Sequence, residues 1–152
     1  MIRIALDTNI LAYLAGVIRH PEDARKVAAV RSLIAGLSGK AAMLAPIQTL
    51  GELFVVLSRA GTPASEARAM LLEFADAFEL LESSGSVMKA TLDLVVDHKL
   101  QYWDALILSA AAEAGAALLL SEDMQDGLVW RGVTLANPFA ATPHRKLAAL
   151  IG

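Results

Sequence analysis

Ile2-Arg3-Ile4-Ala5-Leu6-Asp7-Thr8-Asn9 is the stretch whose reading decides the fold. Ile2–Leu6 is a short run of branched, apolar residues that stops abruptly at three polar ones. A strand buried on both faces reads this way, because a parallel sheet covered by helices has no solvent side to alternate toward. Thr8 or Asn9 can then cap a helix through about Ala15, since a short polar side chain satisfies free N–H groups of the first turn.

Working outward, the same alternation repeats. His20-Pro21-Glu22-Asp23 opens a second helix, with proline in its first turn and acids near the positive end of its dipole. Ala24, Val27, Val30, Leu33 and Ile34 mark its apolar face, and Gly36 with Gly39 ends it. Residues 42–45 predict a second strand, and Pro46 starts a helix to about Arg59. Gly61-Thr62-Pro63 breaks the chain before a helix over about 64–77, and 78–81 predicts a third strand. Helices are expected over about 86–97 and 103–114, the latter stopped by Gly115. Residues 117–120 predict a fourth strand and 133–135 a fifth. Residues 142–151 read as a short amphipathic helix in the tail. Strands alternating with helices imply an α/β fold with a central parallel sheet flanked by helices. Ligands of such sheets collect beyond the carboxyl ends of the strands.

At 152 residues the chain fits one domain. A hydrophobic fraction of 56% and a mean hydropathy of +0.52 are high for a soluble protein. The longest apolar runs, 105–112, 114–120 and 53–57, still fall far short of the roughly 18–20 residues that span a bilayer. With no signal peptide legible at Met1, a cytoplasmic protein without a membrane partner is expected. The apolar excess instead points to an element buried all round or to an oligomeric face, so a homodimer is expected. The absence of cysteine excludes disulfides, thiolate zinc sites and a cysteine nucleophile. A net charge of −3 weighs mildly against a nucleic-acid partner, yet acids gathered at a metal site would be cancelled by bound cations. The densest basic stretch, Arg19, Arg25, Lys26 and Arg31, reads as a solvated helix face.

Four acids stand out by position. Asp7 ends the first strand and Asp123 follows the fourth; alone, each is as well read as a helix cap or a turn residue. Glu52 stands in Leu50-Gly51-Glu52-Leu53-Phe54-Val55-Val56-Leu57, where a charge needs a partner, a metal or a solvent gap. Asp104 opens a helix almost without charge until Glu113. Magnesium and manganese prefer carboxylate and water oxygens. Ions so held supply both a nucleophilic water and the charge neutralisation that phosphodiester cleavage needs. Asn9 and Ser121 can hydrogen-bond metal waters or ligand oxygens and fix the acids.

At these residues the chain resembles the PIN-domain ribonucleases, particularly the toxins of VapBC-type toxin–antitoxin pairs. Leu6-Asp7-Thr8-Asn9-Ile10-Leu11, Gln48-Thr49-Leu50-Gly51-Glu52-Leu53, Tyr102-Trp103-Asp104-Ala105-Leu106-Ile107 and Ser121-Glu122-Asp123-Met124-Gln125-Asp126-Gly127 carry the resemblance. Val133-Thr134-Leu135-Ala136-Asn137-Pro138-Phe139 resembles the family's last strand, so the likeness covers 1–139 and leaves 140–152 as a tail. It implies a three-layer fold and Mg²⁺- or Mn²⁺-dependent endonucleolytic cleavage of RNA. It further implies Asp7, Glu52, Asp104 and Asp123 as the acidic, metal-binding quartet, with Thr8, Asn9 and Ser121 in support. Asp126 shares the loop after the fourth strand and stands as an alternative to Asp123. Homodimers, and a small antitoxin that presents a basic side chain to the acids, are also implied.

Rival readings fare worse. A haloacid-dehalogenase-type phosphatase needs a second Asp two residues after the first, where this chain has Asn9. A response-regulator receiver needs a neighbouring pair of acids after the first strand. Serine-hydrolase chemistry lacks its Gly-x-Ser-x-Gly elbow. His20, His98 and His144 show no ligand spacing. The remaining alternatives are a housekeeping PIN nuclease without an antitoxin and a PIN-like interaction module that has lost catalysis; the latter is opposed by the presence of all four acids.

Overall fold

The strand that opens the chain, β1 (Ile2–Leu6), lies in the middle of a six-stranded sheet ordered β3-β2-β1-β4-β6-β5 in a computed structural model describing residues 1–152. The other strands are β2 (Ala41–Pro46), β3 (Glu79–Leu81), β4 (Leu118–Leu120), β5 (Val129–Trp130) and β6 (Val133–Ala136). All neighbours are parallel except β5 and β6. Helices α1 (Thr8–Leu14) and α2 (Asp23–Leu37) join β1 to β2, and α3 (Ile47–Arg59) and α4 (Ala64–Ala77) join β2 to β3. Helices α5 (Gly85–His98) and α6 (Tyr102–Glu113) return the chain to β4, and α7 (Arg145–Ile151) ends it. No helix is long and apolar enough to cross a membrane.

Alternation along the central strands builds the three layers. Ile4 and Leu6 of β1, with Leu118 and Leu120 of β4, share one core with α1, α2 and α3 residues such as Leu11, Val30 and Leu53. Ala5 and Leu119, the residues between them, face a second core with Leu94 of α5 and Leu108 of α6. Every one of these side chains is fully buried or nearly so, which is why the strands read as unbroken apolar runs rather than alternating ones. The high hydropathy has a similar origin: Ala105 through Ala111 of α6 are buried all round, between the sheet and α5. Leu147 of α7 joins the first core, and Lys146 Nζ donates to Thr134 Oγ1 at 2.8 Å, so the tail packs onto the body.

Within α6 the buried Ser109 hydroxyl has no hydrogen-bond partner. An unpaired buried hydroxyl costs free energy that a methyl group does not. Ser109→Ala is therefore expected to stabilise the protein by about 1 kcal/mol, read as a higher urea midpoint at unchanged slope.

Three local expectations are corrected. The cap of α1 is neither Thr8 nor Asn9 but Asp7, whose extended backbone lets its carboxylate accept the Thr8 N–H. Helix α2 begins at Asp23, because the Asp23 carboxylate turns back to accept the backbone N–H groups of Arg19 and His20 and leaves Pro21 in the preceding turn. Strand β5 is absent from the periodicity reading. It pairs with β6 through Arg131 (φ 45°) and Gly132 (φ 84°), a two-residue turn with both central angles positive. Arg131 adopts this conformation while lying over the Trp130 ring at 4.5 Å.

Candidate active site

The order of the strands makes the site. From β1 the chain runs outward through β2 to β3, then returns across the sheet to lay β4 on the other side of β1. Connections leave β1 and β4 in opposite directions, which opens a crevice beyond their carboxyl ends. Asp7 follows β1 directly and Ser121 follows β4 directly, and the Asp7 N–H donates to Leu120 O at 3.1 Å. The Ser121 hydroxyl donates to Asp7 Oδ2 at 2.8 Å, and the Thr8 N–H donates to Oδ1 at 2.7 Å. Ser121 Oγ in turn accepts the Asp123 and Met124 N–H groups, both at 3.3 Å, which shapes the loop after β4.

Around this pair one cleft of about 330 Å³ is lined by Asp7, Glu52, Asp104 and Asp123 together with Thr8 and Asn9. Glu52 reaches it from α3, where Oε2 accepts the Thr8 hydroxyl at 2.5 Å and Oε1 accepts Gln48 Nε2 at 3.3 Å. Asn9 Nδ2 donates to Asp123 Oδ2 at 2.7 Å. Asp104 enters from the first turn of α6, whose N-terminus Gln101 caps by accepting the Asp104 N–H. The Asp104 carboxylate takes no hydrogen bond from the protein, and none of the four acids forms an ion pair. All four side chains picked out in the sequence are thus brought together.

Electrostatics records the crowding. Asp7 is 5% exposed, and burial pushes its carboxyl up to about 6 against the opposing hydrogen bonds from Ser121 and Thr8, with Asp104 and Asp123 adding repulsion. Asp104 is also raised, first by burial and then by the charges of Asp123 and Glu52. A cluster of carboxylates none of which is ion-paired suits a hard divalent ion. No three of the acids stand close enough together to ligate one ion directly. A single ion here would therefore be held by at most two of these carboxylates, with water completing its shell.

Asp126 lies apart from the cleft lining and accepts the Asn137 N–H at 2.9 Å, tying the β4 loop to the end of β6. Two neighbours went unread in the sequence. Arg59 lines the cleft from the last turn of α3, seven residues after Glu52 and so on the same helix face. Glu122, beside Asp123, turns the other way to accept the Tyr13 hydroxyl at 2.6 Å and Lys26 Nζ at 2.8 Å. The first had a helical-spacing signal; the second had none, because its partners come from other elements.

The family model of the PIN domain matches residues 4–125. The chain belongs to the PIN-domain family. None of the curated proteins is significantly similar to this PIN domain in sequence. Among solved structures, its fold is similar to that of VapBC2 from Rickettsia felis bound to a DNA fragment from its promoter, with a TM-score of 0.67 and 18% identity over 88% of this chain and 97% of that one. A toxin–antitoxin complex from Klebsiella pneumoniae matches with a TM-score of 0.61 and 21% identity over 90% of this chain and 98% of that one. VapC20 of Mycobacterium tuberculosis, a sarcin–ricin loop cleaving toxin, matches with a TM-score of 0.54 and 18% identity over 76% of this chain and 86% of that one. At these identities the likeness is one of fold, and it extends over most of this PIN domain.

A larger cleft lies elsewhere. About 600 Å³ in volume, it is an apolar groove between α3 and α4 lined by Ile47, Leu50, Phe54, Leu71 and Leu72 among others. Eight of its ten lining residues are apolar, and Ser65 and Arg68 are the exceptions.

Proposed function

We propose that this PIN domain is a Mg²⁺- or Mn²⁺-dependent endoribonuclease, the toxin of a toxin–antitoxin pair. Asp7, Glu52, Asp104 and Asp123 would hold one or more ions, partly through bound waters, at the phosphodiester to be cut. The observation that carries the reading is four carboxylates lining one cleft, none of them in an ion pair. Acids are not gathered in this way for stability, since mutual repulsion opposes it. A bound divalent ion supplies charge neutralisation at the scissile phosphate and an activated water.

The protein's own residues do the positioning. Ser121 and the Thr8 N–H occupy one lone pair on each Asp7 oxygen and fix its plane. Thr8 Oγ1 orients Glu52, and Asn9 orients Asp123. Asp104, held by no donor, is free to take up an ion or to accept a proton from an attacking water. Asp126 is a loop tie in this reading, which leaves Asp123 as the fourth acid.

Residues 1–139 form the nuclease domain, and 140–152 a helical tail docked on it. A cognate antitoxin is the expected protein partner, a reading supported by the fold's likeness to toxin–antitoxin complexes and by the apolar groove between α3 and α4. The chain is proposed to act as a homodimer in the cytoplasm. The purified protein is expected to cut RNA in Mg²⁺ or Mn²⁺ and to lose all cleavage in excess chelator, with activity returning when the ion is restored. Undiminished cleavage in chelator would overturn the metal mechanism.

A further inference from the structure

Two guanidinium groups border the acid site, Arg59 in the cleft itself and Arg19 in the cleft that adjoins it, and neither is spent on a carboxylate. Arg59 lines the cleft from α3, is exposed, and forms no ion pair or hydrogen bond. Arg19 lines a second cleft of about 300 Å³ that shares Asn9 and Asp123 with the first, so the two make one trough. Arg19 Nη2 donates to Asn9 Oδ1 at 3.1 Å, and Asn9 donates to Asp123. One of five guanidinium donors is used there, and the others remain for a ligand.

The segment carrying Arg19 is built to hold it in place. Asp23 is 2% exposed, and its Oδ2 accepts the backbone N–H groups of Arg19 at 2.9 Å and His20 at 3.1 Å. Those bonds hold the Asp23 carboxyl below its usual range, the Arg19 N–H contributing most. The other strong cation of this second cleft, Lys26, is occupied by Glu122 at 2.8 Å. Arg19 is thus the arginine left free to face a ligand, tied through Asn9 to the acid cluster.

We propose that Arg59 and Arg19 are two phosphate-binding points, and that a single RNA strand lies along the trough with the scissile phosphate at the carboxylates. The proposal rests on the nuclease reading and deepens it. A guanidinium fork matches phosphate oxygens in pairs, which an ammonium does not. A chain of net charge −3 whose site is acidic needs cations on the approach to dock a polyanion. The choice of a single strand rests on Asp7 being only 5% exposed, since an unpaired backbone bends into a recess more readily than a stiff duplex does.

The test uses the full chain carrying Asp104→Asn, so that RNA is bound but not cut, in Mg²⁺, with a fluorescein-labelled single-stranded RNA of mixed sequence. Anisotropy titrations are run across a salt series. Arg59→Ala and Arg19→Ala are each expected to weaken binding about tenfold and to lower the slope of log affinity against log salt by about 0.7. Arg→Lys at either position should restore the slope but only part of the affinity. Arg145→Ala, on exposed α7, should change neither. In the protein with all its acids, the two alanine variants should raise KM with little change in kcat, the mark of binding shared by ground and transition states.

If both alanine variants match their parent in affinity and slope while the Asp104 protein cuts RNA, the phosphate assignment fails and the nuclease reading stands. If the Asp104 protein does not cut RNA in Mg²⁺ or Mn²⁺, and its Asp104→Asn form does not bind it, both fail. Equal affinity for the paired form of the same RNA would overturn the single-strand assignment.

Discussion

Asp104→Asn is expected to lower the rate of RNA cleavage by about 10³-fold or more, the several kcal/mol that a carboxylate-held ion contributes to phosphoryl chemistry. The substitution is isosteric and removes one charge from a cluster in which Asp104 feels both Asp123 and Glu52. It leaves nothing unpaired, since the Asp104 carboxylate accepts no hydrogen bond from the protein and the backbone N–H remains capped by Gln101. Helix α6 keeps its cap, so loss of activity with no loss of thermal stability separates chemistry from folding. A variant that cuts RNA at the parental rate removes Asp104 from the site.

The opposite sign is expected for stability at Asp7. Its carboxyl is raised from the ordinary 3.8 to about 6, burial being the largest cause. The folded state therefore holds the proton more tightly than the unfolded chain does. Below about pH 4 both states are protonated and the site costs nothing. Between about pH 4 and 6 the folded protein loses stability as pH rises, and above 6 the full cost is present. A displacement of that size corresponds to up to about 3 kcal/mol. Asp7→Asn removes the charge and keeps an oxygen for the Thr8 N–H, but gives up the bond from the Ser121 hydroxyl, which offsets part of the gain.

In chelator at pH 7.5 the variant is expected to melt several degrees above the parent, at roughly 2–4 °C per kcal/mol for a chain of this length. The advantage should vanish by about pH 4. Added Mg²⁺ should stabilise the parent and not the variant, because an ion bound only to the folded state adds its binding free energy. Equal melting temperatures of the two proteins at pH 7.5 in chelator would show that Asp7 carries no electrostatic cost.

Much of this was legible in the residues themselves. Leu118–Leu120 and Ile2–Leu6 announce strands because burial on both faces is written into consecutive positions. Asp7, Glu52 and Asp104 stood out as charges placed at strand and helix ends or inside apolar runs, a local contrast that needs no partner to be seen. Strand β5 escaped because two residues carry too little periodicity, and because its turn uses Arg131 where asparagine or glycine is usual.

Apart from β5, the sequence alone determined the succession of elements and the kinds of side chain at their ends, since these depend on neighbours along the chain. Only the tertiary structure decided how those ends are wired. Ser121 binds Asp7 and Asn9 binds Asp123, each across 114 residues, because the chain returns to place β4 beside β1. The same return places Asp123 in the cleft and leaves Asp126 outside it, a choice their nearness in sequence left open. Arg19 likewise read as part of a solvated face, and Arg59 went unread, until the fold set them along the two adjoining clefts. Hydrogen-bond partners and shared cavities are properties of strand order, and strand order is fixed by packing both faces of the sheet at once.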